Sequence, residues 1–261
     1  MLPLLEVKSI SKKFGELTAN SEISFEVNKG EVLAILGENG AGKTTLMNIL
    51  FGHYMPDKGH IYFKNNPIKF GNTGHSISLG IGMVHQHFTL ADNLTVLENI
   101  IIGQKSLLSL SLSKSLARKK LNSLIDKFSL PINPDATVSD LSVSQKQRLE
   151  ILKTLYKDCE LLILDEPTAA LTPQETDGLF ETIKKMVSQG LSVILISHKL
   201  NEVLSVSDRI IVLRNGRKVG EKKTITADYK TIASMIVGKE ITYPKKIKNN
   251  PIDEVLRSNQ Y

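Results

Sequence analysis

Short aliphatic runs alternate with helical patterns over most of this chain. Residues 31–36 and 161–164 are almost continuously aliphatic, which is typical of strands that a parallel sheet buries on both faces. Residues 22–27 instead alternate polar and apolar side chains, as a half-buried strand does. Strands that alternate with helices predict an α/β fold with a mainly parallel sheet. Further strands are predicted at residues 60–63, 81–85, 192–196 and 209–213.

Two of the predicted helices carry boundary signals. Residues 45–51 have helical apolar spacing, and Gly52 after them is a suitable helix stop. A later helix is predicted from Thr172 as N-cap, a proline in its first position and Glu175 closing a capping box. Gly190 is predicted to end that helix.

The middle and the end of the chain differ from this alternation. Residues 95–156 have a mostly helical pattern and are predicted to form a helical insertion in the sheet domain. Within them, the low-complexity residues 106–115 are predicted as a loop or a helix start without chemistry. From about residue 241 onward the regular pattern fades, which favours a linker or a frayed end.

Composition narrows the class of protein. The chain has 261 residues, 41% of them hydrophobic, with no apolar run long enough for a membrane-spanning helix and no secretory signal pattern. A single cysteine, Cys159, excludes an internal disulfide framework and a cysteine-cluster metal site. The net charge of +6 comes from scattered basic pairs, which favours solvated surface over a nucleic-acid patch. A soluble, cytosolic protein is therefore predicted, and any membrane function would need another chain.

A glycine-rich stretch between a buried strand and a helix fits the phosphate-loop pattern G-x-x-x-x-G-K-S/T. Its glycines allow backbone N–H groups to curl around an anion, and the helix N-terminus favours phosphate. Lys43 is predicted to reach the β- and γ-phosphates, and Thr44 to ligate Mg²⁺. The predicted nucleotide-binding residues here are Gly37, Glu38, Asn39, Gly40, Ala41, Gly42, Lys43, Thr44 and Thr45.

Two carboxylates follow the aliphatic run at residues 161–164. The carboxyl ends of parallel strands are where ligands bind, so Asp165 is predicted to hold Mg²⁺. Glu166 is predicted to accept a proton from the attacking water, or at least to orient that water. His198 ends another strand at that edge and is predicted to contact a γ-phosphate or the water, although a lone histidine is more often structural. Gln86 ends a further strand and is predicted to reach the metal.

Two other features have a functional and a purely structural interpretation. Ser142 and Gln145 form a capping-box pattern before an amphipathic helix, and a capped helix explains them without further chemistry. Phe14 is predicted either to pack in the core or to stack on an adenine ring.

The order of these motifs resembles the nucleotide-binding domain of ABC transporters, from Leu5 to about Lys239. The string LSVSQ at residues 141–145 looks like the family's signature sequence. The resemblance implies that two such domains sandwich two ATP molecules with Mg²⁺. It implies that Ser142, Ser144 and Gln145 face the ATP of the partner domain.

The resemblance also implies a domain plan. It places an ABC ATPase domain at residues 1–240, with a P-loop NTPase core of the RecA type at about 1–90 and 157–240. It adds an antiparallel β region at the N-terminus of that core, an inserted α-helical subdomain at about 91–156 and a linker-like tail at 241–261. Glu166, His198 and Gln86 take the catalytic roles in this scheme, and Thr44, Gln86 and Asp165 hold the metal.

Residues 83–88, 93–100 and 168–175 resemble the ATPases of nucleoside and simple-sugar importers. This branch implies transmembrane permease subunits, an extracytoplasmic solute-binding protein as an indirect partner, and a peripheral place on the cytoplasmic face of the inner membrane. A second ABC ATPase domain is implied as well, in tandem or on a separate chain. The last twenty residues resemble the linker at which a tandem domain would begin.

Two departures from the family pattern matter. Thr172 replaces the usual aspartate, as in the sugar and nucleoside branch. Ser144 replaces the usual last glycine of the signature, where a side chain can crowd the phosphate. A soluble, non-transport ABC ATPase acting on ribosomes or DNA is the alternative, although no nucleic-acid partner is expected. A regulatory subunit with little catalysis is a third hypothesis.

Overall fold

A computed structural model describes residues 2–102 and 110–238 of the chain. Within these two ranges, ten strands form two sheets, and eight α-helices surround them. The strands are β1 Leu5–Phe14, β2 Leu17–Val27, β3 Val32–Leu36, β4 Lys58–Phe63, β5 Asn66–Pro67, β6 Ile81–Val84, β7 Leu161–Asp165, β8 Ser192–Ser197, β9 Arg209–Arg214 and β10 Arg217–Lys223. The helices are α1 Lys43–Phe51, α2 Thr73–Leu79, α3 Val96–Ile101, α4 Leu110–Phe128, α5 Val143–Leu155, α6 Pro173–Ser188, α7 Leu200–Val206 and α8 Tyr229–Val237.

The larger sheet has six strands in the order β10-β9-β3-β8-β7-β6. In this sheet β9, β3, β8, β7 and β6 are parallel to one another, and β10 pairs antiparallel with β9. Every residue of β3, β6, β7 and β8 is buried, as their aliphatic runs predict. The carboxyl ends of these strands meet at one edge of the sheet. The predicted α/β fold with a mainly parallel sheet is confirmed.

The smaller sheet is antiparallel, in the order β2-β1-β4-β5, and lies near the N-terminus as expected. The sequence analysis missed β1 and assigned Phe14 to no strand. Phe14 is instead the last residue of β1. The strand escaped detection because register shifts between Val7 and Lys13 and a left-handed backbone at Ser9, with φ of 49°, break the period-two alternation.

The helix boundaries follow the predicted signals closely. Gly52 ends α1 in the left-handed conformation, with φ of 90°, and its N–H donates to the last turn. Thr172 caps α6 in a complete capping box with Glu175. Gly190, also in the left-handed region, follows the last residue of α6 and its C-cap. The prediction of both helices is confirmed.

The chain between β6 and β7 contains α3, α4 and α5, which pack against the parallel sheet through a shared apolar cluster. Helix α4 begins at Leu110, so residues 110–115 of the low-complexity stretch are helical, while residues 106–109 lie outside the described residues. The tail predicted at residues 241–261 also lies outside them. Over the two ranges that the structure covers, no helix has the length and apolar character needed to cross a membrane.

Candidate functional site

The glycine-rich loop runs from the end of β3 to the start of α1, at the carboxyl edge of the parallel sheet. Gly42 is the N-cap of α1 and has φ of 94°, a left-handed conformation that favours glycine. A Cβ at Gly42 would lie 2.2 Å from the carbonyl oxygen of Ala19, and one at Gly37 would lie 2.4 Å from that of Leu213. The backbone therefore approaches its neighbours too closely for any side chain at either position.

Lys43, the first residue of α1, is folded back over the loop. Its side chain is buried, and its Nζ donates hydrogen bonds to the carbonyl oxygens of Gly37 at 2.7 Å and Glu38 at 2.9 Å. Burial lowers the pKa of Lys43, and the nearby carboxylates of Glu166 and Asp165 oppose that shift. The ammonium group is bound by neutral carbonyls, so its charge is available to an anion in the loop.

Asp165 ends β7 and is buried beside the start of α1. Burial raises the pKa of its carboxyl group, the charge of Glu166 raises it further, and a hydrogen bond from the hydroxyl of Thr44 opposes the shift. A carboxylate and a hydroxyl held together at a desolvated edge are oxygen ligands of the kind that Mg²⁺ prefers. A bound cation would relieve the repulsion between the adjacent carboxylates Asp165 and Glu166, so these residues fit the predicted metal.

Glu166 follows β7 with φ of 47°, a left-handed backbone that is uncommon for a residue with a side chain. Its N–H donates to the carbonyl of Ile196 in β8 at 3.0 Å, which ties this turn to the neighbouring strand. The Oε1 of Glu166 lies 3.1 Å from the Nδ1 of His198, which follows β8. Glu166 is 16% exposed and His198 is 45% exposed, so water can reach the pair.

The structure thus brings five of the predicted residues to one edge of the sheet, namely Lys43, Thr44, Asp165, Glu166 and His198. Gln86 follows β6 at the same edge, with an exposed side chain. No hydrogen bond joins Gln86 to Asp165 or Thr44 in the part of the chain that the structure covers. Its role as a metal ligand stays a prediction.

The LSVSQ string lies at the start of α5. Ser142 caps this helix and forms a complete capping box with Gln145, as predicted. The hydroxyl of Ser144 lies 3.1 Å from that of Ser142 and also hydrogen-bonds the carboxylate of Glu175 near the start of α6. Within the described residues, none of these side chains hydrogen-bonds the glycine-rich loop.

Phe14 lies at the end of β1 and is 44% exposed, so its interpretation as a core residue is wrong. Its ring meets that of Tyr54 edge to face, with 5.6 Å between the ring centres. An exposed aromatic face stays compatible with stacking on a base.

One residue beside the loop escaped the sequence analysis. Asn20 of β2 is fully buried and donates from Nδ2 to the carbonyl oxygen of Gly42 at 3.0 Å. The odd-numbered positions Ile23, Phe25 and Val27 of this strand are buried, so simple alternation assigns Asn20 to the exposed face. Irregular pairing with β1 reverses that assignment, and only the structure shows it.

The chain is similar in sequence to known proteins along most of its length. Residues 20–169 match the family model described as "ABC transporter". The nucleoside import ATP-binding protein NupA of Lactococcus lactis is 42% identical over 97% of this chain and 50% of its own length. The guanosine import ATP-binding protein NupO of Bacillus subtilis is also 42% identical, over the same two shares. The chain therefore spans about half the length of these relatives.

Solved structures agree with the sequence comparison. An ATP-binding cassette of an ABC transporter, crystallised in its ADP conformation, superposes with a TM-score of 0.80 at 26% identity. The match covers 92% of this chain and all of that one. Because the family model matches residues 20–169, more than half of the chain, and the fold agrees, this protein belongs to the ABC transporter family.

Proposed function

We propose that this chain binds and hydrolyses ATP to power the import of a small solute through a partner permease. The observation that carries the proposal is the Glu166–His198 pair beside Lys43 and Asp165 at the sheet edge. Phosphoryl transfer needs a group that orients the attacking water and groups that offset the charge of the phosphates. Here a carboxylate with a histidine beside it can fill the first role. A buried ammonium group and the glycine-rich loop at the N-terminus of α1 can fill the second. The names of the relatives, which are nucleoside import ATP-binding proteins, support the coupling to import.

The loop from Gly37 to Thr45 binds the triphosphate in this proposal. Its backbone N–H groups and Lys43 neutralise the phosphate charge, and Phe14 stacks on the adenine ring. Thr44, Asp165 and Gln86 would hold Mg²⁺, which would offset the negative charge of the phosphates.

Glu166 accepts a proton from the attacking water, because its carboxylate faces the edge and is reachable by solvent. His198 donates a hydrogen bond from its Nδ1 to Glu166 Oε1 and thereby orients that carboxylate. The left-handed backbone at Glu166 ends the extended conformation of β7 at this residue, a local strain of the kind found at functional sites.

A second ABC ATPase domain completes the site. The signature residues Ser142, Ser144 and Gln145 of one domain close the ATP site of the other. Within the described residues they make no hydrogen bond to this chain's own loop, which supports a role across an interface. The chain spans half of the length of its relatives, so a tandem second domain or a separate chain both fit the proposal.

The permease partner has a suitable docking place beside the site. A cavity of about 220 Å³ lies between β6 and α5, next to Gln86, and is lined in part by Phe51, His53, His85 and Lys153. Occupation of this cavity by a permease segment would couple Gln86 and the helical region to the membrane. The solute is a nucleoside or a simple sugar in this proposal, captured by an extracytoplasmic binding protein, and the chain lies on the cytoplasmic face of the inner membrane.

The contacts of Ser144 lead to a prediction for the ATPase rate of a Ser144→Gly variant. Its hydroxyl joins the start of α5 to Glu175, and a glycine would release that link and the contact to Ser142. Ser144→Gly is therefore expected to change the ATPase rate of the intact transporter by less than about threefold, since one exposed hydrogen bond is worth little. A rise of tenfold or more, measured as phosphate release, would contradict this assignment.

Two measurements test the two halves of the proposal. Phosphate release from MgATP, with Glu166 present or replaced, tests the hydrolytic half. Identification of the membrane proteins that accompany the native chain tests the transport half.

A further inference from the structure

A buried asparagine on β2, which is not part of the phosphate loop, makes a hydrogen bond to that loop. Asn20 has no exposed surface, and its Nδ2 donates to the carbonyl oxygen of Gly42 at 3.0 Å. The same carbonyl accepts the N–H of Leu46 at 3.0 Å, the first backbone hydrogen bond of α1. Asn20 therefore holds the residue at which the loop becomes a helix.

Holding this carbonyl also orients the next N–H group. The peptide bond between Gly42 and Lys43 is trans, so its C=O and N–H point in opposite directions. Because the Gly42 carbonyl faces β2, the Lys43 N–H faces away from β2. Lys43 is the first residue of α1, so this N–H has no acceptor within the helix and is free to bind an anion.

The preceding peptide group is held in the same way. The N–H of Gly216, in the turn between β9 and β10, donates to the carbonyl of Ala41 at 3.2 Å. Strand β2 in turn holds Gly216, whose carbonyl accepts the N–H of Ser21 at 2.8 Å. The carbonyl groups of two successive residues, Ala41 and Gly42, thus accept hydrogen bonds from residues outside the loop. Two successive N–H groups, of Gly42 and Lys43, point the other way, which is the arrangement of an anion-binding nest.

The amide orientation of Asn20 is settled by its partner. A carbonyl oxygen only accepts, so Nδ2 must face Gly42, and Oδ1 is buried without a hydrogen-bond partner among the described residues. An apolar side chain of similar size would avoid this unpaired oxygen. Since burial alone does not require an amide at this position, its contribution is the hydrogen bond to the loop.

We propose that Asn20 is a positioning residue for nucleotide binding, which fixes the Gly42–Lys43 peptide group so that its N–H meets a phosphate of ATP. This inference rests on the nucleotide binding proposed above. Asn20 acts through the backbone of the loop and touches no reacting atom itself.

Asn20→Leu tests the inference in the full chain, because leucine keeps the branched shape of the side chain and removes the donor. The affinity for MgATP, measured by calorimetry, is expected to weaken about tenfold, which corresponds to about 1.4 kcal/mol. Ser192→Ala is the matched control. Ser192 is equally buried and accepts the N–H of Gly30 at 2.8 Å, at the opposite end of the sheet from the loop. This control is expected to bind MgATP within about twofold of the unchanged chain, because a single buried hydrogen bond acts locally.

Hydrogen exchange with saturating MgATP gives a second readout. The amides of residues 40–44 are expected to lose protection in Asn20→Leu and to keep it in Ser192→Ala. Unchanged affinity and protection in a folded Asn20→Leu chain would overturn the inference, and so would an equal loss in Ser192→Ala. If Asn20→Leu does not fold, Asn20→Ala is judged by the same two criteria. Failure of the unchanged chain to bind MgATP would instead refute the proposed function.

Discussion

Glu166→Gln is expected to abolish most ATP turnover while leaving ATP binding intact. Glutamine keeps the size of the side chain and a hydrogen bond to His198, but it cannot accept a proton from water. Loss of a general base costs about 100-fold to 10,000-fold in rate. Phosphate release by the purified complex measures the loss, and binding of labelled MgATP to the same preparation measures what remains.

Glu181→Gln is the matched control for this experiment. Glu181 lies on α6, its side chain is 77% exposed, and its ion pair with Lys184 is a surface contact. Surface pairs of this kind contribute little, so the control is expected to hydrolyse ATP at the normal rate. Normal turnover in Glu166→Gln would remove Glu166 as the base and leave the His198 contact without a catalytic role.

Lys43→Met is expected to weaken MgATP binding by about a hundredfold, because a charge-assisted hydrogen bond is worth about 1.5 to 3 kcal/mol and the loop loses its internal bonds as well. The ammonium group of Lys43 binds the carbonyls of Gly37 and Glu38 from within the loop. Methionine fills similar space with no donor, so both carbonyls lose a partner and the phosphates lose a counter-charge. Calorimetry with MgATP and with MgADP measures the effect.

The control here is Lys184→Met, which removes a lysine that is 51% exposed on α6. Affinity close to that of the unchanged chain is expected for this variant. If Lys43→Met also bound MgATP normally, the glycine-rich loop would not be the triphosphate site, and the roles proposed for Asp165 and Thr44 would fail with it.

The chemistry at the sheet edge was accessible from the sequence because it depends on local patterns. Aliphatic runs identify β3 and β7, and the residues that follow such strands in a parallel sheet must share one edge. That argument alone predicts Asp165 and His198 at one edge of the sheet. The structure adds that their strands are neighbours and that Glu166 lies 3.1 Å from His198. Capping boxes at Ser142 and Thr172 were equally predictable, since each involves residues three positions apart.

What the sequence did not reveal depends on irregular pairing and on distant contacts. Register shifts in β1 hid that strand and place Asn20 of its partner β2 on the face opposite to the one that simple alternation would give. The link from Ser144 to Glu175 joins two helices that no local pattern relates. Exposure of Phe14 likewise follows from its place at the end of β1 and not from its neighbours in sequence.

The claim that this ATPase domain drives import is tested most directly by its native partners. The tagged native chain is purified in mild detergent, and mass spectrometry identifies its own mass and the proteins bound to it. The account predicts multi-span membrane proteins in the complex, and the chain mass shows whether a second ATPase domain is attached. Ribosomal proteins or nucleic acid in place of a membrane partner would contradict the transport assignment while leaving the ATP chemistry at Glu166 intact.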